Sequence, residues 1–156
     1  MPSRLSEELG IVNVFKPADN EAGVTGESIN LSLYNDVLFI LSFGSLTGDA
    51  VLTVKSGATD GVETTSETFK YRLADADQGS AGADQFGAYT SSSSLTLTAA
   101  TYDNRLLLLH MHAMDLTAGQ PWITLALSAA ASVQFSSAVA LLSRARHFAH
   151  DMPSAI

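Results

Sequence analysis

The chain has 156 residues, 46% of them hydrophobic and only 15% charged, with a net charge of −8 and no cysteine. That length fits one domain over residues 1–156 with a core of its own, and the composition excludes wholesale disorder, thiol chemistry and a Cys-type zinc site. Residues 1–78 carry 12 acidic and 5 basic side chains, so the basic footprint of a nucleic-acid binder is missing and no direct nucleic-acid partner is expected.

An average soluble domain is roughly 25% charged. A chain this charge-poor is expected to hide surface either in a tight core or against other chains, the latter as a homodimer or homotrimer. Met1 to Glu8 lacks the apolar stretch of a signal peptide, and runs such as Leu106 to Leu109 are too short to span a bilayer. Synthesis in the cytoplasm with no membrane partner is the expectation.

In chain order, Ser3 to Leu9 suits one or two helical turns capped by Ser3 or Ser6. Leu31-Ser32-Leu33 alternates apolar and hydroxyl residues, as a half-buried strand does. Val37 to Phe43 is short and continuously apolar, which reads as a central strand. Val51 to Lys55 is a further strand, and Phe69-Lys70-Tyr71-Arg72-Leu73 places Phe, Tyr and Leu on one face and two cations on the other. Asp75 to Ser94, with Gly79, Gly82, Gly87 and four consecutive serines, is a long polar loop that is either mobile or ordered by a neighbour.

Beyond it, Leu95-Thr96-Leu97-Thr98 alternates again, Leu106 to Met111 reads as a second central strand, and Trp122 to Leu127 as another. Ala129 to Phe148 has helical propensity, yet Val133, Phe135, Val139 and Leu141 alternate across a Ser136-Ser137 bend, which favours two strands. Turn signals at Leu46-Thr47-Gly48-Asp49, Ser56 to Gly61, Tyr102-Asp103-Asn104-Arg105 and Ala118-Gly119-Gln120-Pro121 separate these runs. Seven or eight strands so punctuated, with no alternating helices, predict an all-β antiparallel sandwich or jelly roll.

Chemistry-bearing motifs are sparse. His110-x-His112 on a strand points two imidazoles the same way, with Asp115 near in sequence, and is the one candidate pair for a metal. Two partly buried or interfacial histidines are the commoner outcome of such a pair, so no metal and no cofactor is expected. No Gly-x-Ser-x-Gly elbow and no phosphate-cradling glycine loop occurs, and Asp75-Ala76-Asp77 lacks the rest of a calcium loop. No catalytic residue is assigned and the chain is not expected to be an enzyme. A small metal-dependent enzyme built on His110 and His112 stands as a distant alternative. Trp122, Tyr34, Tyr71, Tyr89 and Tyr102 keep open a carbohydrate-binding sandwich, although a plain core also uses such residues.

The termini hold groups that a solitary sandwich has little use for. Ile11 and Phe15 on an N-terminal arm (1–15), and Arg144, Arg146 and His147 on a C-terminal arm (144–156), are the residues expected to contact a neighbour.

The order Ile11 to Ala18, Ser28 to Val37, the apolar Leu38 to Phe43, Gly48 to Gly61 and the closing Val139 to Phe148 resembles small virion proteins of tailed bacteriophages, encoded around the capsid genes. The resemblance implies a β-sandwich on the exterior of the head, a decoration or cement protein that clamps neighbouring copies of the major capsid protein as a symmetric homo-oligomer. A head–tail connector or tail component belongs to the same class. The long loop at 79–94 departs from the usual form, and the resemblance carries over no catalytic residue.

Overall fold

The structure, a computed structural model, describes residues 8–146 and 155–156. The helical turn expected at Ser3–Leu9 falls mostly outside the described residues, and His147 and His150 fall wholly outside them. Twelve strands follow one another among the described residues: β1 (Gly10–Asp19), β2 (Val24–Thr25), β3 (Ile29–Asn30), β4 (Tyr34–Leu46), β5 (Ala50–Gly57) and β6 (Thr65–Ser66), then β7 (Phe69–Leu73), β8 (Thr90–Ser92), β9 (Leu95–Leu97), β10 (Leu106–His112), β11 (Trp122–Leu127) and β12 (Gln134–Ala145). A single helical turn, Ala99–Tyr102, and a 3-10 turn, Ala113–Asp115, interrupt them. No helix among the described residues is long and apolar enough to cross a membrane.

One sheet has the order β1-β12-β4-β10-β7-β8; the other runs β2-β11-β5-β6, with β3 added to β11 and β9 to β5. Every pairing is antiparallel. The expected all-β antiparallel sandwich is the fold observed. The inward side chains of Phe39, Leu41, Leu107 and Leu109 meet Leu52, Val54, Ile123 and Leu125 in one continuous core.

The alternation within each strand sets this core, but in β12 it runs on the opposite phase to that expected. Gln134, Ser136, Ala138, Ala140 and Leu142 are buried, whereas Phe135 is 48% exposed and Val139 and Leu141 are only half-buried. The reason lies in the neighbours: Ala140 sits between Val12 and Phe39, and Ala138 between Phe15 and Leu41. Small residues on the central strand make room for large ones on either side, as dense packing requires. The two strands expected across Ser136-Ser137 are one continuous strand, with an irregularity between Gln134 and Ser136.

The N-terminal arm expected over residues 1–15 is corrected from Gly10 onward. Residues 10–19 are the edge strand β1, and Phe15 is 7% exposed in the core rather than offered to a neighbour. A register shift between Asn13 and Phe15 puts Val14 and Phe15 both inward, as a bulge does. Ile11, on the same strand, is 61% exposed. The C-terminal arm is corrected similarly: Arg144 and Ala145 belong to β12, and buried Ala155 returns to the core, its carbonyl accepting the Asn30 N–H at 2.7 Å. Arg146 donates its backbone N–H to the Leu33 carbonyl at 2.9 Å.

The 75–94 loop is pinned to its own sheet. Ala74 bridges Phe86, β8 pairs with β7, and the Gln78 amide donates to the Phe43 carbonyl at 2.8 Å while accepting from Ser42 Oγ at 3.0 Å. The Arg72 guanidinium lies 5.2 Å from the Phe86 ring centre and 4.8 Å from that of Tyr89, a cation–π clamp that holds the loop on the outward face.

Candidate functional site: a polar cluster at the end of an apolar sheet face

The outward face of the six-stranded sheet is itself largely aliphatic. Register places Leu141 between Ile11 and Leu38, with His110 beyond Leu38; the next row holds Asn13, Val139, Ile40 and Leu108. Leu38, Ile40, Leu106, Leu108, Val139 and Leu141 are all half-buried, shielded by one another and not by the core. This is why β4 and β10 read as continuously apolar.

At one end of this face the pattern turns polar. His112 on β10 pairs in register with Asp36 on β4, and Asp36 with Ser143 on β12, so three neighbouring strands present one row. His110 lies one row along on the same face, its ring centre 4.5 Å from that of His112 and nearly perpendicular to it.

Arg144 joins by breaking the strand's alternation. Its even position would direct it inward after Ala140 and Leu142, but its φ is +54°, and the Asn35 amide holds its carbonyl at 3.0 Å. A non-glycine residue in that region is strained and tends to mark a working site. The turn lets the guanidinium grip Asp36 with Nε on Oδ2 and Nη2 on Oδ1, the latter at 2.7 Å.

Asp36, only 4% exposed, is thus the hub of the cluster. Its Oδ1 also faces His112 Nδ1 directly and His110 Nε2 at 3.7 Å. The hydrogen bond from Arg144 holds the Asp36 carboxyl below the usual aspartate range despite partial burial, and the same bond raises Arg144. Burial, then the neighbouring His112, pushes His110 down and favours its neutral imidazole. With Leu38, Tyr89 and Ser143 these four groups line a cavity of about 380 Å³.

One nitrogen of each imidazole and one Asp36 oxygen lie within 4.8 Å of one another, close enough to hold a metal ion. The third group is Asp36, not the Asp115 suggested by sequence proximity. Only strand pairing brings position 36 beside position 112, so no spacing rule could have found it. Arg144, expected to contact a neighbour, pairs instead with a carboxylate of its own chain, Asp36. Arg146 makes no side-chain contact with the cluster among the described interactions. A second cavity of about 450 Å³ lies by Ser42, Phe43, Gly44, Asp77, Gln78, Ser80 and Asn104, where Asp77 is paired with Arg105 at 3.3 Å. The aromatic residues are dispersed: Tyr34 and Tyr102 are buried, Trp122 is half-buried and Tyr89 is exposed on the loop.

The class that these observations define is an antiparallel β-sandwich whose six-stranded sheet has a largely aliphatic outward face among the described residues. No protein-family model and no curated protein matches the chain. Among solved structures it is similar to the SPBc2 prophage-derived protein YomS, with a TM-score of 0.50 and 10% identity over 86% of this chain and 93% of that one. At that identity the likeness is one of fold.

Proposed function

We propose that this chain is a non-catalytic structural protein of a tailed-phage particle, a decoration or cement protein of the head exterior that associates with itself and docks on the major capsid protein. The observation that carries this reading is the aliphatic outward face centred on Leu38, Ile40, Leu108, Val139 and Leu141. Sandwiches with one solvated face alternate apolar and polar residues along their strands, and β4, β10 and the middle of β12 do not. Contiguous apolar patches of this kind mark interaction surfaces.

The sheet edges are poor alternatives. The edge strand β1 carries exposed Lys16 and Pro17 beside a second register shift, which blunts strand addition. The opposite edge, β8, is three residues long. An aliphatic face with few charges can meet the same face of an identical copy without opposing like charges, as a two-fold contact requires. The fold shared with a prophage-derived protein supports the phage setting. Quantifying the protein in purified particles tests the reading: a copy number matching the shell's symmetry supports it, and absence from intact particles overturns it.

A further inference from the structure

We propose that Asp36, His110 and His112 form a binding site for a single divalent transition-metal ion of the zinc type, a property independent of the virion reading above. Three observations carry it. The donor set is two imidazoles and one carboxylate, a combination zinc accepts in open sites that keep a position for water or an incoming ligand. The spacing is within reach: Asp36 Oδ1 and His110 Nε2 are 3.7 Å apart, while zinc with bonds of about 2.0–2.1 Å separates tetrahedral ligands by about 3.4 Å, and His112 Nδ1, in direct contact with the same oxygen, would have to swing back to admit the ion. Finally, all three donors rise from the paired strands β4 and β10, so their Cα positions are fixed by the ladder and only side-chain torsions need adjust.

The cluster also contains its own support and its own competitor. Arg144 Nε engages Oδ2, which would leave Oδ1 for the ion and orient the carboxylate as outer partners do. Its Nη2, however, occupies Oδ1 at 2.7 Å, and a cation beside a dication is unfavourable. The Arg144 side chain is 66% exposed, so it has room to withdraw as the ion enters. Ion and guanidinium therefore compete for one oxygen.

The test is calorimetric titration of zinc chloride into chelator-stripped full-length protein, with cobalt(II) absorption as a second readout. One ion per chain is expected, with the intense visible bands of tetrahedral cobalt. His110→Ala and His112→Ala should each weaken binding by more than the roughly 10–100-fold that loss of an outer-shell partner costs. Arg144→Ala should tighten it. Thermal melting without metal keeps misfolding from passing as lost affinity, with His110→Asn and His112→Asn as backups. Absence of zinc binding in the micromolar range, or binding that survives loss of both His110 and His112, overturns the proposal; particle copy number is read separately and is unaffected by either result.

Discussion

Replacing Ile40 by Glu is the most direct perturbation of the proposed association. Ile40 lies at the middle of the outward face, with Val139 beside it on β12 and Leu108 on β10. Its neighbours along the strand, Phe39 and Leu41, are fully buried on the other side. A charge at position 40 therefore faces away from the core, and the fold should survive. In a contact between two copies the loss is larger. Fully burying an isoleucine is worth about 1.5–3 kcal/mol; Ile40 is already half-buried in the single chain, so association adds about half of that per copy, and a two-fold interface contains the position twice, giving about 2 kcal/mol. At about 1.4 kcal/mol per decade the dissociation constant should rise roughly 30-fold or more, the cost of burying two carboxylates adding to the lost apolar contact.

Sedimentation over a concentration series reads this directly. Wild type should be a dimer or trimer at micromolar concentration, and Ile40→Glu a monomer with an unchanged β-type circular dichroism spectrum. Ile40→Thr, which keeps the β-branched shape, should fall between them. A wild type that stays monomeric at high concentration, or an Ile40→Glu variant that associates normally, would refute the assignment of the face.

Other consequences follow from the same coordinates. Gln134 is fully buried and its amide nitrogen and oxygen have no hydrogen-bond partner among the described residues, so the near-isosteric Gln134→Met should stabilise the fold by about 1–3 kcal/mol in denaturant titration. Glu67 is 6% exposed; burial raises its pKa, but bonds from Ser56 Oγ at 2.5 Å and the Thr117 N–H at 3.0 Å outweigh this and hold it below its ordinary 4.5. Its contribution is therefore present above pH 4.5 and lost as pH falls through the lowered value; Glu67→Ala should cost about 1.5–3 kcal/mol at neutral pH and flatten the acid limb of a stability–pH curve. A Cβ at Gly57 would meet the Val62 carbonyl oxygen at 1.9 Å, so Gly57→Ala should lower the melting temperature sharply by forcing β5 and the following turn apart. Arg72→Ala removes the clamp on Phe86 and Tyr89, and limited proteolysis should then cut within 75–94 while the core resists.

Much of the fold is legible because alternation survives where one face is polar. Phe69, Tyr71 and Leu73 point inward and Lys70 and Arg72 outward, as their chemistry dictates. The phase of β12 was not legible, since Val139 and Leu141 are more hydrophobic than the Ala138 and Ala140 that the core selects. Local sequence ranks residues by polarity, whereas packing ranks them by the volume left beside Phe39, Leu41 and Phe15. The same limit explains β1. Val12 and Val14 alternate visibly, but the bulge that turns Phe15 inward depends on pairing with β12. At the cluster the two histidines are evident from spacing. Asp36 and Arg144 are not, because one arrives by strand pairing across 76 positions (112 − 36) and the other by a left-handed backbone angle.

The inverted phase of β12 bears on association as well. A strand with large aliphatic residues outward and alanines inward would gain more by the opposite register if water were its only outer neighbour, because a one-residue slip exchanges the faces. Two things oppose the slip: steric demand from Phe39 and Phe15 on the inside, and the Arg144–Asp36 grip at the strand's end. Those explain how the register is fixed, not why the outward positions are Leu and Val where Thr or Ser would serve a solvated sheet. Burial against another chain, as proposed above, would supply that reason. The 75–94 loop already covers the β7 side of the face through Arg72 and Tyr89. The part left uncovered by it runs from Leu108 to Ile11, and it is there that the proposed second copy would have apolar surface to bury.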